Sequence, residues 1–340
     1  MAYTTIKKPS DYFNTKIYTG NSSTLSVTGV GFQPDWTWIK DRNSAGDDHA
    51  LYDAVRGTTK RIRSNQTDAE NTQSDGLTSF DSDGFTVGTN GASNGDGQPF
   101  VAWNWLASNT TASNTDGSIT STVSANTTSG FSIVSYTGTG SVATIGHGLS
   151  STPKIVLIKN RDDGTTDWLY YTTQIDGSLD SLRLNGGNAK SDSSFSLPTS
   201  SVFSINGSSS TGFSGQNYIA YCFAEKKGFS KFGTYIGNGN ADGTFVYTGF
   251  KPAFIMLKCS TNSAPGWMMF DNKRLGYNPD NNVLYPNGAD AEGTNDDIDL
   301  LSNGFKARST DIGLNQSGGT YVYMAFAEEP LVGDNPATAR

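Results

Sequence analysis

The sequence has few of the residues that most enzymes and metal proteins use. It contains only two histidines, His49 and His147, and two cysteines, Cys222 and Cys259. None of the four stands at the spacing of a zinc site or a nucleophile motif. Both cysteines lie in apolar segments, where buried free thiols are the expected state. We therefore expect neither an enzyme nor a bound cofactor.

The composition still permits one kind of catalysis. A pair of loop carboxylates can hydrolyse a glycosidic bond, and the loop containing Asp296, Asp297 and Asp299 supplies carboxylates. Acidic surface loops are common, however, so this feature is a weak indication.

Charge and long apolar runs are also scarce. Charged residues make up 16% of the chain and the formal net charge is −8. An acidic surface repels phosphate backbones, so we expect no nucleic-acid partner. A membrane helix needs an apolar run of about 18 residues or more, and the sequence has none, so we expect no membrane insertion. The N-terminal segment has no apolar core of a signal peptide.

Stretches of strong helix formers are nearly absent, whereas glycine occurs 39 times and aromatic residues reach 11%. Many short apolar runs are separated by Gly, Asn, Asp and Pro. This pattern is typical of all-β proteins with many short strands.

What the sequence has in abundance is internal similarity. One pattern, a proline, an apolar run and a closing lysine, occurs three times at constant spacing, at Pro34–Lys40, Pro153–Lys159 and Pro252–Lys258. A continuous apolar run indicates a strand buried on both faces, and proline is tolerated at the entry of such a strand. We expect the lysine to return the chain to solvent and Ile158 and Ile255 to be buried at matching positions.

The similarity extends to other landmarks and predicts three tandem β-sandwich repeats. His49 stands where the other copies have Trp168 and Trp267, so we interpret it as structural. The predicted parts are an N-terminal arm (1–12), repeat 1 (13–107), a Ser/Thr/Asn linker (108–129), repeat 2 (130–226), repeat 3 (227–329) and a C-terminal tail (330–340).

The linker allows two arrangements. As a flexible coil it would span roughly 25 Å, so that repeat 1 could move relative to repeat 2. Alternatively, it lies along a neighbour. We expect partner chains to hold the arm and the tail, because free chain ends usually fray.

Four tryptophans are candidates for ligand binding. Trp36 and Trp38 share one face of a strand, as do Trp103 and Trp105. Exposed aromatic rings of this kind can stack on sugars. The alternative, which the sequence favours because other apolar residues replace them in the other copies, is that all four belong to the core.

A weak calcium motif follows the opening strand of repeat 3. Asn238, Asn240 and Asp242 resemble the first half of a calcium loop, but Gly249 stands where such a loop requires glutamate. A simple turn between strands is the favoured alternative.

Several segments resemble one family. The opening MAYTT, the GFxPxxxxIK strands, YIAYCFAEK, GNGNADGTFVYTGFKPAF and the ending AFAEEPLVG are similar to repeat-containing virion proteins of tailed marine bacteriophages. The resemblance covers essentially the whole chain. It implies concanavalin-like, lectin-like sandwiches, with a jelly roll as the related arrangement, and it carries over no catalytic or binding residue.

The resemblance implies a virion protein, assembled in the host cytoplasm. The first hypothesis is a tail fibre or receptor-binding protein that attaches to host surface polysaccharide. The second is a head decoration or tail adaptor with a purely structural role. The partners we expect are other virion proteins and further copies of the same chain.

Overall fold

The computed structural model describes residues 4–263, 265–274, 278, 281–295, 297–332 and 336–338. Apart from a short 3₁₀ turn at Pro9–Asp11 and one helical turn at Gly91–Asn94, its regular elements are antiparallel strands. The all-β sandwich fold expected from the sequence is confirmed. Among the described residues, no helix is long and apolar enough to cross a membrane.

Residues 13–107, here called unit one, form a two-layer sandwich. Its strands are β1 (Phe13–Thr19), β2 (Leu25–Thr28), β3 (Trp36–Asp41), β4 (Ala50–Asp53), β5 (Lys60–Arg61), β6 (Asn71–Thr72), β7 (Leu77–Asp81), β8 (Gly84–Val87) and β9 (Pro99–Trp105). The large sheet has the order β1-β9-β3-β4 and the small sheet has the order β2-β8-β7, while β5 pairs with β6.

Unit two (130–226) repeats this arrangement in a wider sheet. The strands from residue 108 onward are β10 (Ala112–Asn114), β11 (Ser121–Asn126), β12 (Phe131–Thr137), β13 (Ala143–Gly146), β14 (Ile155–Asn160), β15 (Leu169–Thr172), β16 (Asp180–Arg183), β17 (Ser191–Asp192), β18 (Val202–Ile205) and β19 (Asn217–Phe223). The large sheet has the order β10-β11-β12-β19-β14-β15-β16-β17, and β13 pairs with β18.

Unit three (227–329) returns to the four-stranded form. Its strands are β20 (Ser230–Ile236), β21 (Phe245–Tyr247), β22 (Phe250–Cys259), β23 (Trp267–Asp271), β24 (Asn281–Val283), β25 (Gly293–Asn295), β26 (Ile298–Leu301), β27 (Gly304–Ala307) and β28 (Thr320–Pro330). The large sheet has the order β20-β28-β22-β23, the small sheet has the order β21-β27-β26, and β24 pairs with β25.

The central strands of the large sheets, β3, β14 and β22, are buried on both faces, as their apolar runs predict. Along β14, Val156 and Ile158 point into the core of unit two, whereas Ile155 and Leu157 point the other way. Ile158 and Ile255 are both fully buried in the cores of their own units, so their predicted burial is confirmed.

The second faces of the three large sheets meet in one central core. Trp36 of unit one stacks on Tyr221 of unit two with ring centroids 4.3 Å apart, and Phe13 lies 5.6 Å from Phe254 of unit three. Phe223 and Phe326 complete the contact between units two and three at 5.9 Å. The units therefore share apolar packing and form one body.

The segment 108–129 is not a flexible linker. Its β11 pairs with β12 and its β10 pairs with β11, which extends the large sheet of unit two. Val123 is buried in the core of that unit, and this burial together with the ladder hydrogen bonds holds the segment in place. Independent movement of unit one is excluded by the shared core.

Three equivalent seams join the units in a ring. The main-chain N–H of Glu70 donates to the carbonyl of Arg161 between units one and two. Lys190 donates in the same way to Ser260 between units two and three. Glu292 donates to Arg42 between units three and one, and each of these hydrogen bonds is 2.8 Å long. The last seam closes the ring between parts of the chain that are far apart in sequence.

The closing lysines do not return the chain to solvent as expected. Lys40, Lys159 and Lys258 are fully buried. The ammonium of Lys159 donates to carbonyls of its own loop and to that of Thr67 in unit one. Lys258 likewise reaches Gly187 of unit two. Burial lowers the pKa of Lys159 and of Lys258 to about 8, and the carbonyl oxygens satisfy the ammonium donors.

The described part of the N-terminal arm packs on its own chain. Ile6 is buried in the central core, and Tyr12 lies edge-on to Phe229 of unit three at 6.0 Å. Residues 1–3 and parts of the tail lie outside the described residues. In the tail, Ala337 donates a main-chain hydrogen bond back to Pro330.

Candidate functional site

The four tryptophans predicted as candidate binding residues form part of the central core. Trp36, Trp38, Trp103 and Trp105 are at most 2% exposed. Phe254 and Phe326 of unit three cover Trp105, and the Trp103 indole N–H donates to Asp271 of the same unit. None of these rings is accessible to a ligand, so the expectation that they bind sugar is wrong and the core alternative is right. Their burial joins the units.

His49 occupies the same place in its seam as Trp168 and Trp267 do in theirs, as the sequence comparison predicts. Trp168 Nε1 donates to the carbonyl of Arg63, and Trp267 Nε1 donates to that of Arg183. His49 Nε2 makes the corresponding contact with Tyr285 at 3.0 Å. Burial lowers the pKa of His49 to about 3. The histidine is therefore neutral and structural.

Two seams also contain buried ion-pair networks. In unit one Arg56 pairs with Asp53 and Glu70, and Glu70 binds Arg161 across the seam. An equivalent network links Asp271, Arg274, Glu292 and Arg42 at the seam between units three and one. Each buried charge in the two networks therefore has an opposite charge beside it, as a buried ion needs in order to be stable in the fold.

The predicted calcium loop is a hydrogen-bonded turn. The side-chain oxygen of Asn238 accepts from the N–H of Asn240, whose own oxygen accepts from the N–H of Asp242. The carboxylate of Asp242 pairs with Lys306 at 2.5 Å. Because these oxygens serve local donors and a lysine, the residues are not arranged as a calcium site, and the turn alternative describes them.

One acidic cluster is held together by a lysine. The ammonium of Lys190 lies 2.5 Å from Asp176, 2.7 Å from Asp180 and 2.8 Å from Asp192. This lysine occupies the position that a metal ion would take, so the cluster is neutralised within the chain. Hydrogen bonds to the three carboxylates raise the pKa of Lys190, which keeps its ammonium protonated.

Two exposed aromatic residues lie side by side on the small sheet of unit three. Phe245 and Tyr247 are two apart on edge strand β21 and share its outer face, with Val246 pointing into the core between them. They are 44% and 55% exposed. We call the outer face of the sheet β21-β27-β26 the aromatic face.

A row of charged side chains runs beside these rings. Lys306 is the cross-strand partner of both Phe245 and Asp299. Asp242 pairs with Lys306 at 2.5 Å and with Arg308 at 3.5 Å, and Arg308 also pairs with Asp299 at 3.2 Å. We call these four residues the charged row. Rings and hydrogen-bonding groups together make this face suited to a ligand that is partly flat and partly polar.

An open cavity of about 700 Å³ adjoins the charged row and shares Arg308 with it. Its walls are mainly hydroxyl, amide and carboxylate groups, from Thr294, Asn295, Asp297, Ser309, Thr310 and Asp311. Two of the carboxylates considered for hydrolysis are here: Asp297 lines the cavity, and Asp299 pairs with Arg308. The third, Asp296, lies outside the described residues.

The other two units lack aromatic residues at these positions. The strand pairing shows which positions correspond in the three small sheets. Val246, Val27 and Ile145 are equivalent, because each of these residues lies opposite a phenylalanine of the neighbouring strand. Phe245 and Tyr247 therefore correspond to Ser26 and Thr28 in unit one and to Thr144 and Gly146 in unit two. Sequence reasoning missed the pair, although the alternation Phe-Val-Tyr, set against Ser-Val-Thr, was a usable signal.

Comparison with known proteins gave one family. The model of a family described as a domain of unknown function (DUF7483) matches residues 8–330. No curated protein and no solved structure matches the chain. The matched range runs through all three units and their seams, as expected for units that share one core. The chain belongs to the DUF7483 family.

Proposed function

We propose that the chain is a structural protein of a bacteriophage virion that attaches to host-cell glycans, as a tail fibre or receptor-binding surface protein. The observation that supports attachment is the aromatic face of unit three, where Phe245 and Tyr247 are exposed beside a charged row. The virion setting rests on the resemblance of the sequence to phage virion proteins.

The fused architecture suits such a role. Because the three units share one core, the aromatic face has a fixed orientation relative to the rest of the chain. Contacts between a single sugar and a shallow face are weak. Several copies held together on one particle would gain avidity, since linked sites raise the effective concentration.

Adsorption of phage carrying point variants tests this proposal. Removing unit three would uncover the central core, so small changes on the surface are required. Phe245→Ser with Tyr247→Thr gives unit three the residues of unit one, and we expect adsorption to fall at least tenfold. Leu197→Ser, which removes a 51% exposed side chain from unit two, is the control. Unchanged adsorption of the double variant would remove the receptor role.

A second function, head decoration or tail adaptor, is favoured by a different surface. Val142 and Phe213 of unit two are 81% and 51% exposed. Their glycine-rich loops are joined by a hydrogen bond from Gly140 N–H to the Gly212 carbonyl. Exposed apolar side chains on adjacent loops favour contact with another protein. Labelling this chain in intact particles separates the two functions: many copies over the head support decoration, and a few at the tail support a fibre.

A further inference from the structure

We infer that the aromatic face binds a neutral glycan, with sugar rings against Phe245 and Tyr247 and with sugar hydroxyls on the charged row. This inference rests on the proposed function and adds the class of sugar and the residues that select it. It follows from the size of the apolar patch, the exposure of the rings and the balance of charge.

The apolar patch is too small for a stable protein interface. A covered aromatic side chain buries about 150–250 Å², and these two rings are already about half covered. A stable protein partner needs about 800 Å² on each side. The patch does match one or two sugar rings, which present a small apolar face surrounded by hydroxyl groups.

No side chain lies directly across the ladder from Tyr247. Its cross-strand neighbour is Gly304, and the edge of the Phe245 ring lies beside this glycine. A Cβ atom at Gly304 would collide with the main-chain oxygen of Val246, so glycine is required there. Phe245 instead faces Lys306, whose ammonium is drawn toward Asp242. The two rings are exposed on the same face of the strand, side by side.

The charges of the row cancel within the row. Two cations, Lys306 and Arg308, face two carboxylates, Asp242 and Asp299, through three ion pairs. The hydrogen bond from Lys306 lowers the pKa of Asp242, so this carboxylate stays ionised at neutral pH. An acidic sugar would have to displace Asp242 or Asp299 from its cation. A neutral hydroxyl both donates and accepts, and can therefore join the row without breaking a pair.

The position of Arg308 indicates the direction in which a bound glycan would extend across the surface. It belongs to the charged row and also lines the open cavity, whose other walls carry hydroxyl, amide and carboxylate groups. A chain of sugars that stacks on Tyr247 and Phe245 can extend along the row and place a further ring in the cavity beyond Lys306. Arg308 is then the residue that contacts the sugars on both sides.

Affinity electrophoresis of the full chain tests the inference. The gels contain neutral polysaccharides (dextran, mannan and galactan) or acidic ones (polygalacturonate and alginate). We expect at least one neutral polysaccharide to retard the protein. Phe245→Ser with Tyr247→Thr should weaken that binding at least tenfold, and Arg308→Gln should weaken it about threefold or more. Leu197→Ser should leave it unchanged. Equal melting temperatures of all variants exclude misfolding.

Each contrary outcome has a distinct meaning. Retardation by acidic polysaccharides only, lost in Lys306→Gln, overturns the neutral class while the attachment function stands. No retardation by any polysaccharide, while the double variant still loses adsorption, overturns the glycan ligand but not attachment. No retardation together with unchanged adsorption overturns both.

Discussion

The carboxylate of Glu70 accepts two hydrogen bonds from the guanidinium of Arg161, both 2.9 Å long, across the seam between units one and two. Burial acts to raise the pKa of Glu70, but Arg161 and Arg56 outweigh it and the pKa is lowered. Glu292 and Arg42 form the same pair at another seam. At the third seam the corresponding residues are Lys190 and Ser260, which form no ion pair with each other.

Glu70→Gln should lower the free energy of unfolding by about 3 kcal/mol, because it leaves the partly buried guanidinium of Arg161 without its counter-charge and removes one of the two carboxylates paired with Arg56. Chemical denaturation followed by tryptophan fluorescence measures this change. Asp68→Asn is the matched control, since Asp68 pairs with Arg63 at 2.6 Å on the surface of the same unit, and it should cost less than about 1 kcal/mol. Equal effects of the two changes would show that the seam is not stabilised by its ion pair.

His49 should make the protein less stable in acid. Its pKa is lowered from 6.5 to about 3 by burial, with a smaller contribution from Lys40. Protons therefore bind the unfolded chain first, and stability is lost as the pH falls from about 6.5 toward 3. The loss is at most roughly 5 kcal/mol. In His49→Gln, whose amide can still donate to Tyr285, we expect unfolding free energies measured from pH 7 to 3.5 to fall less steeply.

Asp35 should give the stability a pH dependence opposite to that of His49. Its carboxylate accepts hydrogen bonds from the main-chain N–H groups of Ala107 and Asn109, yet burial raises its pKa from 3.8 to about 6. A raised carboxyl pKa favours the folded state at low pH, so this stability is lost as the pH rises from about 4 to 6. The loss is roughly 3 kcal/mol. Asp35→Asn should remove this loss. The free energy of unfolding of the variant should therefore rise relative to that of the native protein between pH 4 and 7. An identical pH profile in both proteins contradicts this assignment.

Lys190→Ala should create a calcium-dependent protein. Without the ammonium, the oxygens of Asp176, Asp180 and Asp192 remain within 4.8 Å of one another. Their repulsion should lower the melting temperature of the variant, because Asp180 is buried and its charge is no longer compensated. Calcium prefers such oxygen ligands, so millimolar calcium should restore the melting temperature of the variant.

Lys190→Arg is the control, because it keeps the positive charge and should not respond to calcium. A native protein stabilised by calcium as strongly as the variant would show that Lys190 does not occupy the site.

The sequence was informative wherever a pattern concerns one strand or one matched position. The apolar runs correctly predicted the doubly buried strands, and the alignment correctly placed His49 with Trp168 and Trp267. A two-residue period shows which side chains share a face but not what covers that face. The pattern could therefore not show that unit three covers Trp103 and Trp105.

Other features depended on contacts between distant parts of the chain. Lys159 is buried because a carbonyl of unit one accepts from its ammonium, and no local pattern indicates that partner. In the segment 108–129, Val123 is the one strongly apolar side chain that the structure buries, too weak a signal for a strand among many polar residues. The exposure of Phe245 and Tyr247 depends on the register of β21, which sequence alone left open.

The central core has a consequence for how the protein is made. Its members run from Ile6 to Phe326, so all three units must be synthesised before the last of these side chains is available. Multidomain chains usually fold from the N-terminus during synthesis, one domain after another. Here unit one leaves the ribosome with Trp36 and Trp105 still uncovered by their later partners. The three sandwiches must therefore finish folding together, once unit three has been synthesised, and until then the nascent chain exposes apolar surface to which chaperones bind.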